Sequence, residues 1–387
     1  MPDGWIDAAE ADDIGTVRRL RHDLDIRAFV AMLGRAGWVT PHWPVEHGGR
    51  NLDDDSAREA FDLLDQWSVP RIPRGVGLVL AAPAIRAFAS EETKCLFLPR
   101  IATGEQQWAQ LFSEPNAGSD LASLATSAVQ DGQQWVVNGQ KVWTTLGDEA
   151  DFGMLLARTD PSVQKHRGIT YFGLDLRSPG VEVRPLVQMT GESEFSEVFM
   201  TDVIVPDLHR ISAVNEGWAA THTSLSAERV NLSGPSGRQR QSRGILGGKT
   251  LDEVLGLAAS VGVAGDPVRR DHVSAAYVES RLLALTVERS TADGRPGPAG
   301  SITKISKAHA NQSLQELAME LRGAAGQAWV EGDAEAAGYV REFLRTRANS
   351  IEGGTSEIQR NIVGERVLGL PPEPDPYRRK PWKDVPR

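Results

Sequence analysis

A single cysteine, Cys95, stands among 387 residues, so no disulfide can close within the chain and a reducing cytosol is the expected setting. Positive charge is scarce as well. Lys and Arg number 42 against 52 Asp and Glu, for a formal net charge of −10. No long basic stripe interleaved with aromatics appears, and a nucleic-acid partner is not expected. Long apolar runs are missing: the longest, around residues 75–85, is too short and too interrupted by proline to span a bilayer. Acidic residues crowd the start (Asp3, Asp7, Glu10, Asp12, Asp13) where a secretory leader would be apolar. These absences together predict a soluble cytoplasmic protein. Metal patterns are absent too. His42 and His47 share the loop PHWPVEHGG, but their spacing matches no ligand motif, and a solvated loop pair is the better reading. A phosphate loop ending Gly247-Gly248-Lys249-Thr250 fails because Arg243 stands where a Walker A motif needs glycine. There is no internal repeat.

What remains is 40% hydrophobic, enough for a large core and two or three packed units. Residues 1–109 read as helical. Ile26, Phe29, Val30 and Leu33 recur at three- and four-residue spacing, and further helices are expected over 54–66, 78–88 and 91–101. From about residue 110 to 212 the pattern turns to short strands rich in β-branched and aromatic residues, at 154–157, 169–174, 181–183 and 198–200. Asp160-Pro161 and Ser178-Pro179-Gly180 supply turns. Residues 213–370 return to helix, with Leu225, Glu228, Arg229 and Leu232 on one face and long helices over 274–290 and 302–321. The stretch 371–387 is Pro-rich and charged, expected on a surface or disordered. The fold class is α+β, with a β-domain between two helical ones.

The segment from Gln110 to Thr145 concentrates chemistry. Ser113-Glu114-Pro115-Asn116-Ala117-Gly118-Ser119-Asp120 is a tight polar turn whose small residues let backbone N–H groups approach a ligand. Asn138-Gly139, flanked by Trp135-Val136-Val137 and Lys141-Val142-Trp143, predicts a type I′ hairpin that delivers Trp143 followed by the hydroxyls of Thr144 and Thr145. Backbone donors, an indole face and a hydroxyl suit a flat conjugated ring such as an isoalloxazine. From the residues alone, an edge hairpin whose Trp packs into a core is the commoner explanation.

SEPNAGSDLA, WVVNGQKVWTT and the late IEGGTSEIQRNIVGERVLGLP, in that order, together resemble the flavin-dependent acyl-CoA dehydrogenase family, and the resemblance covers nearly the whole chain. It implies an N-terminal helical domain, a middle β-domain, a C-terminal helical bundle, and FAD as cofactor. It further implies an acyl-CoA substrate, α,β-dehydrogenation to a 2,3-enoyl-CoA, and an electron-transfer flavoprotein as acceptor. Given the acidic balance, the CoA phosphates must be met by local Arg and Lys. The resemblance places Phe112 and Ser113 at the flavin pyrimidine, Trp143 against the ring, Thr144 and Thr145 beside it with Thr145 near N5, and Ser119 towards the acyl-CoA channel. Thr355 and Glu357 fall where relatives contact the FAD pyrophosphate or adenosine. A capping box at Thr355-Ser356-Glu357 explains the same residues structurally, and both hold if a helix N-terminus is the anion site.

The catalytic carboxylate departs from the family's usual pattern. A Y-E-G-T motif would place it at Gly353, one residue after Glu352. Gly353 can still offer a backbone N–H to the thioester carbonyl. A second family location, a glutamate before an arginine on the first long C-terminal helix, matches Glu228-Arg229. Glu228 is therefore expected as base and Arg229 as an orienting group, with an ordinary solvated helix pair as the structural alternative and Glu352 as fallback. An R-x-x-F-G segment that many relatives carry is missing from residues 247–266. That loss and GGTSEIQ suggest the branch handling bulky or sterol side-chain acyl-CoA esters, as a homotetramer or a heterotetramer with a related subunit. A non-catalytic or half-site subunit and a flavin oxidase or monooxygenase on the same fold remain open alternatives.

Overall fold

The computed structural model describes residues 2–69, 75–233, 247–291, 300–328 and 334–386. The chain divides into two compact units, Met1–Leu186 with Glu194–Ser224 and Tyr377–Arg387, and Val187–Ser193 with Leu225–Pro376.

The first unit opens with helices α1 (Trp5–Glu10), α2 (Ile14–His22), α3 (Ile26–Arg35), α4 (Asp54–Gln66), α5 (Ala82–Phe88) and α6 (Glu91–Thr103). Their starts are written in side chains: Asp13, Asp25, Asp53 and Ser90 each accept a first-turn N–H at 2.8–3.2 Å, which satisfies donors a helix leaves unpaired. The three- and four-residue spacing in α3 buries Phe29, Val30 and Leu33 against Val39 and Val69. The helix expected over 78–88 is split: one π-helical turn, Gly77–Ala81, precedes α5.

A mixed sheet follows, with strands β1 (Trp108–Leu111), β2 (Ser127–Asp131), β3 (Gln134–Thr145), β4 (Phe152–Arg158), β5 (Ile169–Asp175), β6 (Val181–Leu186) and β7 (Phe195–Pro206). The order is β1-β4-β2-β3-β7-β6, with β5 on β4 and β1 parallel to β4. Alternation turns Trp135, Val137, Val198, Met200, Val203 and Val205 inward to one core with Leu111, Leu155 and Phe172. All four expected strands lie within β4, β5, β6 and β7.

The Asn138-Gly139 hairpin does not form. Gln134–Thr145 is one strand of 12 residues, and Asn138-Gly139 lies inside it at a bulge where the register with β7 shifts. A Cβ on Gly139 would come within 2.7 Å of the Thr126 Cα, so glycine here admits the neighbouring chain closely. Asn138 reaches across to β7, donating to the Asp202 carboxylate at 3.0 Å and accepting from the Asp202 N–H at 2.8 Å. The reversal comes earlier, at Asp131-Gly132, with Gly132 at φ 60° and β2 paired antiparallel to β3.

Of the two outcomes expected for the end of the chain, a surface position or disorder, the structure shows the first for residues 377–386. Trp382, only 9% exposed, anchors a short strap on the first unit. Its indole donates to the Ser123 carbonyl at 3.2 Å, its N–H to Val163 at 2.7 Å, and the Lys383 N–H to Pro161 at 3.1 Å. A large aromatic that finds a cover and an acceptor for its N–H overrides the disorder that proline and charge suggest.

The second unit is helical: the C-terminal part of α7 (Gly217–Ser233), then α8 (Leu251–Ser260), α9 (Pro267–Thr291), α10 (Gly300–Arg322), α11 (Ala334–Thr346) and α12 (Ser356–Ile362). Val254, Ala258, Leu317, Ala318, Leu321 and Tyr339 form its core. Among the described residues, no helix is long and apolar enough to cross a membrane.

Candidate active site

In the first unit the polar turn is tied to β3 by a buried ion pair. Lys141 is fully buried, and its ammonium meets Glu114 at 2.8 Å and donates to the Phe112 carbonyl at 3.1 Å. Glu114 also accepts the N–H groups of Ala125 at 2.7 Å and Thr126 at 3.0 Å. Burial pushes the Glu114 carboxyl up, but Lys141 and these donors outweigh it and hold the group below its ordinary value. Burial pulls Lys141 down, opposed by Glu114. A further bond runs from the Val142 N–H to the Ser113 carbonyl at 2.9 Å. The sequence reading passed over this pair. Its one available signal was Lys141, the lone charged residue in the strand motif WVVNGQKVWTT.

That brace fixes what β3 presents. Between Lys141 and Thr144 the register with β7 shifts again, and Trp143 sits in the bulge at φ 62°. A bulky residue in the left-handed region is a true outlier, and such backbone persists where the surroundings enforce it, often at functional sites. Trp143 is 56% exposed and touches Phe195 edge-on at 5.7 Å. Thr145 is exposed beside it, whereas Thr144 is fully buried with its hydroxyl unpartnered among the described residues. The structure thus places Trp143 and Thr145 outward and Thr144 inward. Phe112 is buried edge-on to Tyr171 at 5.8 Å, so its side chain belongs to the core. Ser113 is half-buried and Ser119 exposed. An indole kept out of the core, with an adjacent free hydroxyl and a rigid turn behind it, fits a flat hydrogen-bonding ring such as isoalloxazine.

In the second unit Gly353 and Gly354 lie consecutively at φ 62° and 89°. A Cβ on Gly354 would meet the Gln359 side-chain nitrogen at 2.6 Å, and that nitrogen donates to the Gly353 carbonyl at 2.9 Å. The N–H groups of both glycines donate to nothing among the described residues. Glu352 is clamped: Arg345 approaches its carboxylate at 3.1 Å and the Asn349 amide donates at 2.9 Å. The Lys304 ammonium, buried and thereby lowered in pKa, donates to the Asn349 carbonyl at 2.9 Å. A carboxylate so paired serves the loop. Glu352→Gln is expected to destabilise the protein by about 1–3 kcal/mol in urea melts, and an unchanged midpoint would show that the clamp carries no stability.

Thr355 caps α12 by accepting the Ile358 N–H at 3.2 Å, but the third helical residue is Ile358, so no reciprocal capping box forms. Glu357 is exposed and pairs with Arg360 at 3.1 Å. The rejected phosphate loop is occupied by its own chain, since the Gly248 N–H goes to Glu342 and the Lys249 N–H to Gln315. Where R-x-x-F-G is missing, α8 begins with a full capping box between Thr250 and Glu253. Glu228 and Arg229 belong to α7, but their side chains lie outside the described residues. No group of metal-binding side chains occurs among the described residues.

Comparison with known proteins gives these features a common setting. The family models for the N-terminal, middle and C-terminal domains of acyl-CoA dehydrogenases match residues 8–105, 109–203 and 215–368. The chain is 37% identical over 350 residues to acyl-CoA dehydrogenase IpdE1 of Mycobacterium tuberculosis, covering 90% of this chain and 88% of that one. Among solved structures it is similar to the Tcur3481-Tcur3483 steroid ACAD, at 27% identity and TM-score 0.73, over 90% of this chain and 89% of that one. It is also similar to a chain of the ChsE4-ChsE5 complex from Mycobacterium tuberculosis, at 27% identity and TM-score 0.69, over 96% and 98%. The tandem matches, in order and over most of its length, show that the chain belongs to the acyl-CoA dehydrogenase family.

Proposed function

We propose that the protein is an FAD-dependent dehydrogenase that desaturates a bulky acyl-CoA thioester at Cα–Cβ and hands electrons to an electron-transfer flavoprotein. Trp143 carries the flavin assignment: it is an exposed indole held in left-handed backbone by a bulge, with the Thr145 hydroxyl beside it. Trp143 would stack on the ring, Thr145 would offer it a hydroxyl, and the main chain at Phe112 and Ser113 would hold its pyrimidine side. Thr355 and Glu357 serve the diphosphate or adenosine portion. The Gly353 N–H donates to the thioester carbonyl and lowers the cost of charge building there as the α-proton leaves. Glu228 takes that proton, oriented by Arg229. FAD, when bound, supplies the acceptor for the β-hydrogen and its bonding pair.

Trp143→Ala is expected to lower flavin retained through gel filtration about two- to tenfold, a stacking loss of about 0.5–1.5 kcal/mol, with the folded state unchanged by circular dichroism. Full flavin occupancy would remove Trp143 from the cofactor site. A second reading rests on the two-protein composition in the names of both structural relatives and on the missing R-x-x-F-G: this chain forms a mixed tetramer and completes sites with a related subunit. Counting FAD by visible absorbance on the chain purified alone separates them. About one flavin per chain favours self-sufficient sites, and little or none favours the mixed assembly.

A further inference from the structure

The C-terminal strap has no part in the function proposed above, yet it is built into the first unit. Arg158, 3% exposed, donates to the carbonyls of Ala122 at 2.6 Å and Leu124 at 3.1 Å and to that of Lys165. Its guanidinium also lies over the Trp382 ring at 4.7 Å. One buried cation thus gathers three segments: the 121–124 turn, the 165–167 turn and the strap. They bring cations together on a chain whose net charge is −10. His166, partly buried, is held below its ordinary pKa first by burial and then by Arg167, Lys165, Arg378 and Arg158 around it. Lys383 acts on the Asp160 carboxylate from the strap side. Lys165 is spent on Asp120, at 2.8 Å to both oxygens. Arg167, Arg378 and Lys383 form no ion pair among the described residues.

We propose that the strap and the 165–167 turn form a phosphate-binding patch for the 3′-phospho-ADP end of the CoA thioester, with Arg167, Arg378 and Lys383 as its donors. This rests on the acyl-CoA reading. The position of the patch supports the choice of ligand. Asp120, bonded to Lys165, is the neighbour of Ser119, the exposed residue assigned to the acyl-CoA channel. The Ser123 hydroxyl donates to Asp120 at 2.5 Å, and the Ser123 carbonyl takes the Trp382 indole. Unpaired guanidinium and ammonium groups beside that segment match a ligand carrying three phosphates at one end. The patch also answers how an acidic protein meets CoA without a global attractive field.

The test is calorimetric titration of the purified holoprotein with free coenzyme A and with 3′-dephospho-CoA. Arg378→Glu/Lys383→Glu, at two exposed positions, is expected to weaken CoA binding about tenfold or more. Wild type is expected to bind dephospho-CoA more weakly than CoA, and to lose affinity for CoA as salt rises. Trp382→Ala, which releases the strap, is expected to reproduce the loss, and thermal melts of both variants separate it from unfolding. Equal CoA affinity in wild type and a folded charge-reversal variant overturns the patch and leaves the acyl-CoA reading intact. Failure of wild type to bind CoA at all overturns the acyl-CoA reading itself. Unchanged CoA affinity with slowed flavin reoxidation by an electron-transfer flavoprotein would assign the cations to a protein partner instead.

Discussion

Glu228→Gln is expected to keep its flavin and its affinity for substrate while losing about a thousandfold or more in the rate at which substrate bleaches the flavin. Removing a positioned general base costs about 10²–10⁴, and the α-proton of a thioester is a weak acid that water does not take at a useful rate. Because glutamine keeps shape and polarity, KM is expected to hold while kcat and kcat/KM fall together, the signature of an interaction made in the transition state. Two features of the chain point to this residue. The position that the family resemblance gives to the base is Gly353, which has no side chain to offer, and the adjacent Glu352 is clamped by Arg345 and Asn349. Anaerobic stopped-flow of Glu228→Gln and Glu352→Gln side by side decides between them. A Glu228→Gln protein that reduces its flavin at the wild-type rate overturns the assignment. Loss in neither variant would make the chain a partner to a subunit that carries the base.

Much of this was legible because helical apolar spacing, β-rich runs and long motifs are local properties. The apolar spacing of α3 and the helix over 54–66 declared themselves within a few residues. The errors arose where a distant partner decided the outcome. Asn138-Gly139 has the composition of a hairpin turn, yet its amide pairs with Asp202, 64 residues away, and Gly139 admits Thr126. Such contacts convert a turn signal into a bulge within a continuous strand. The anchoring of Trp382 was hidden in the same way, because proline and charge around it left a surface position and disorder both open while its cover comes from Arg158 and its acceptor from Ser123. Among the flavin candidates, the sequence grouped Trp143, Thr144 and Thr145 as neighbours, and strand geometry with the bulge divides them into outward and inward. Nothing local marks Glu114 and Lys141 as a pair, since 27 residues separate them in sequence.

That pair carries the largest expected effect on stability. Glu114→Gln leaves the Lys141 ammonium, fully buried, without its counter-charge, and breaking one side of a buried ion pair costs about 3–5 kcal/mol. The same change loosens the 113–120 turn from β3, so flavin retention is expected to fall with stability. Replacing both partners, as Glu114→Gln/Lys141→Met, removes the stranded charge and is expected to recover more than half of the loss. No recovery would mean that the Phe112 carbonyl and the Ala125 and Thr126 amides, left with poor partners, dominate. The pair also predicts an acid limb. The Glu114 carboxyl is lower in the folded protein than its reference value of 4.5, so the folded state binds the proton less readily than the unfolded chain. Its contribution is therefore complete above about pH 4.5 and is lost as pH falls from there through the folded value. Urea melts of wild type between about pH 6 and about pH 3 are expected to show that decline below about pH 4.5, and Glu114→Gln, which has no proton to gain at this position, is expected to show a shallower one. Equal slopes in the two proteins would place the acid sensitivity elsewhere in the chain.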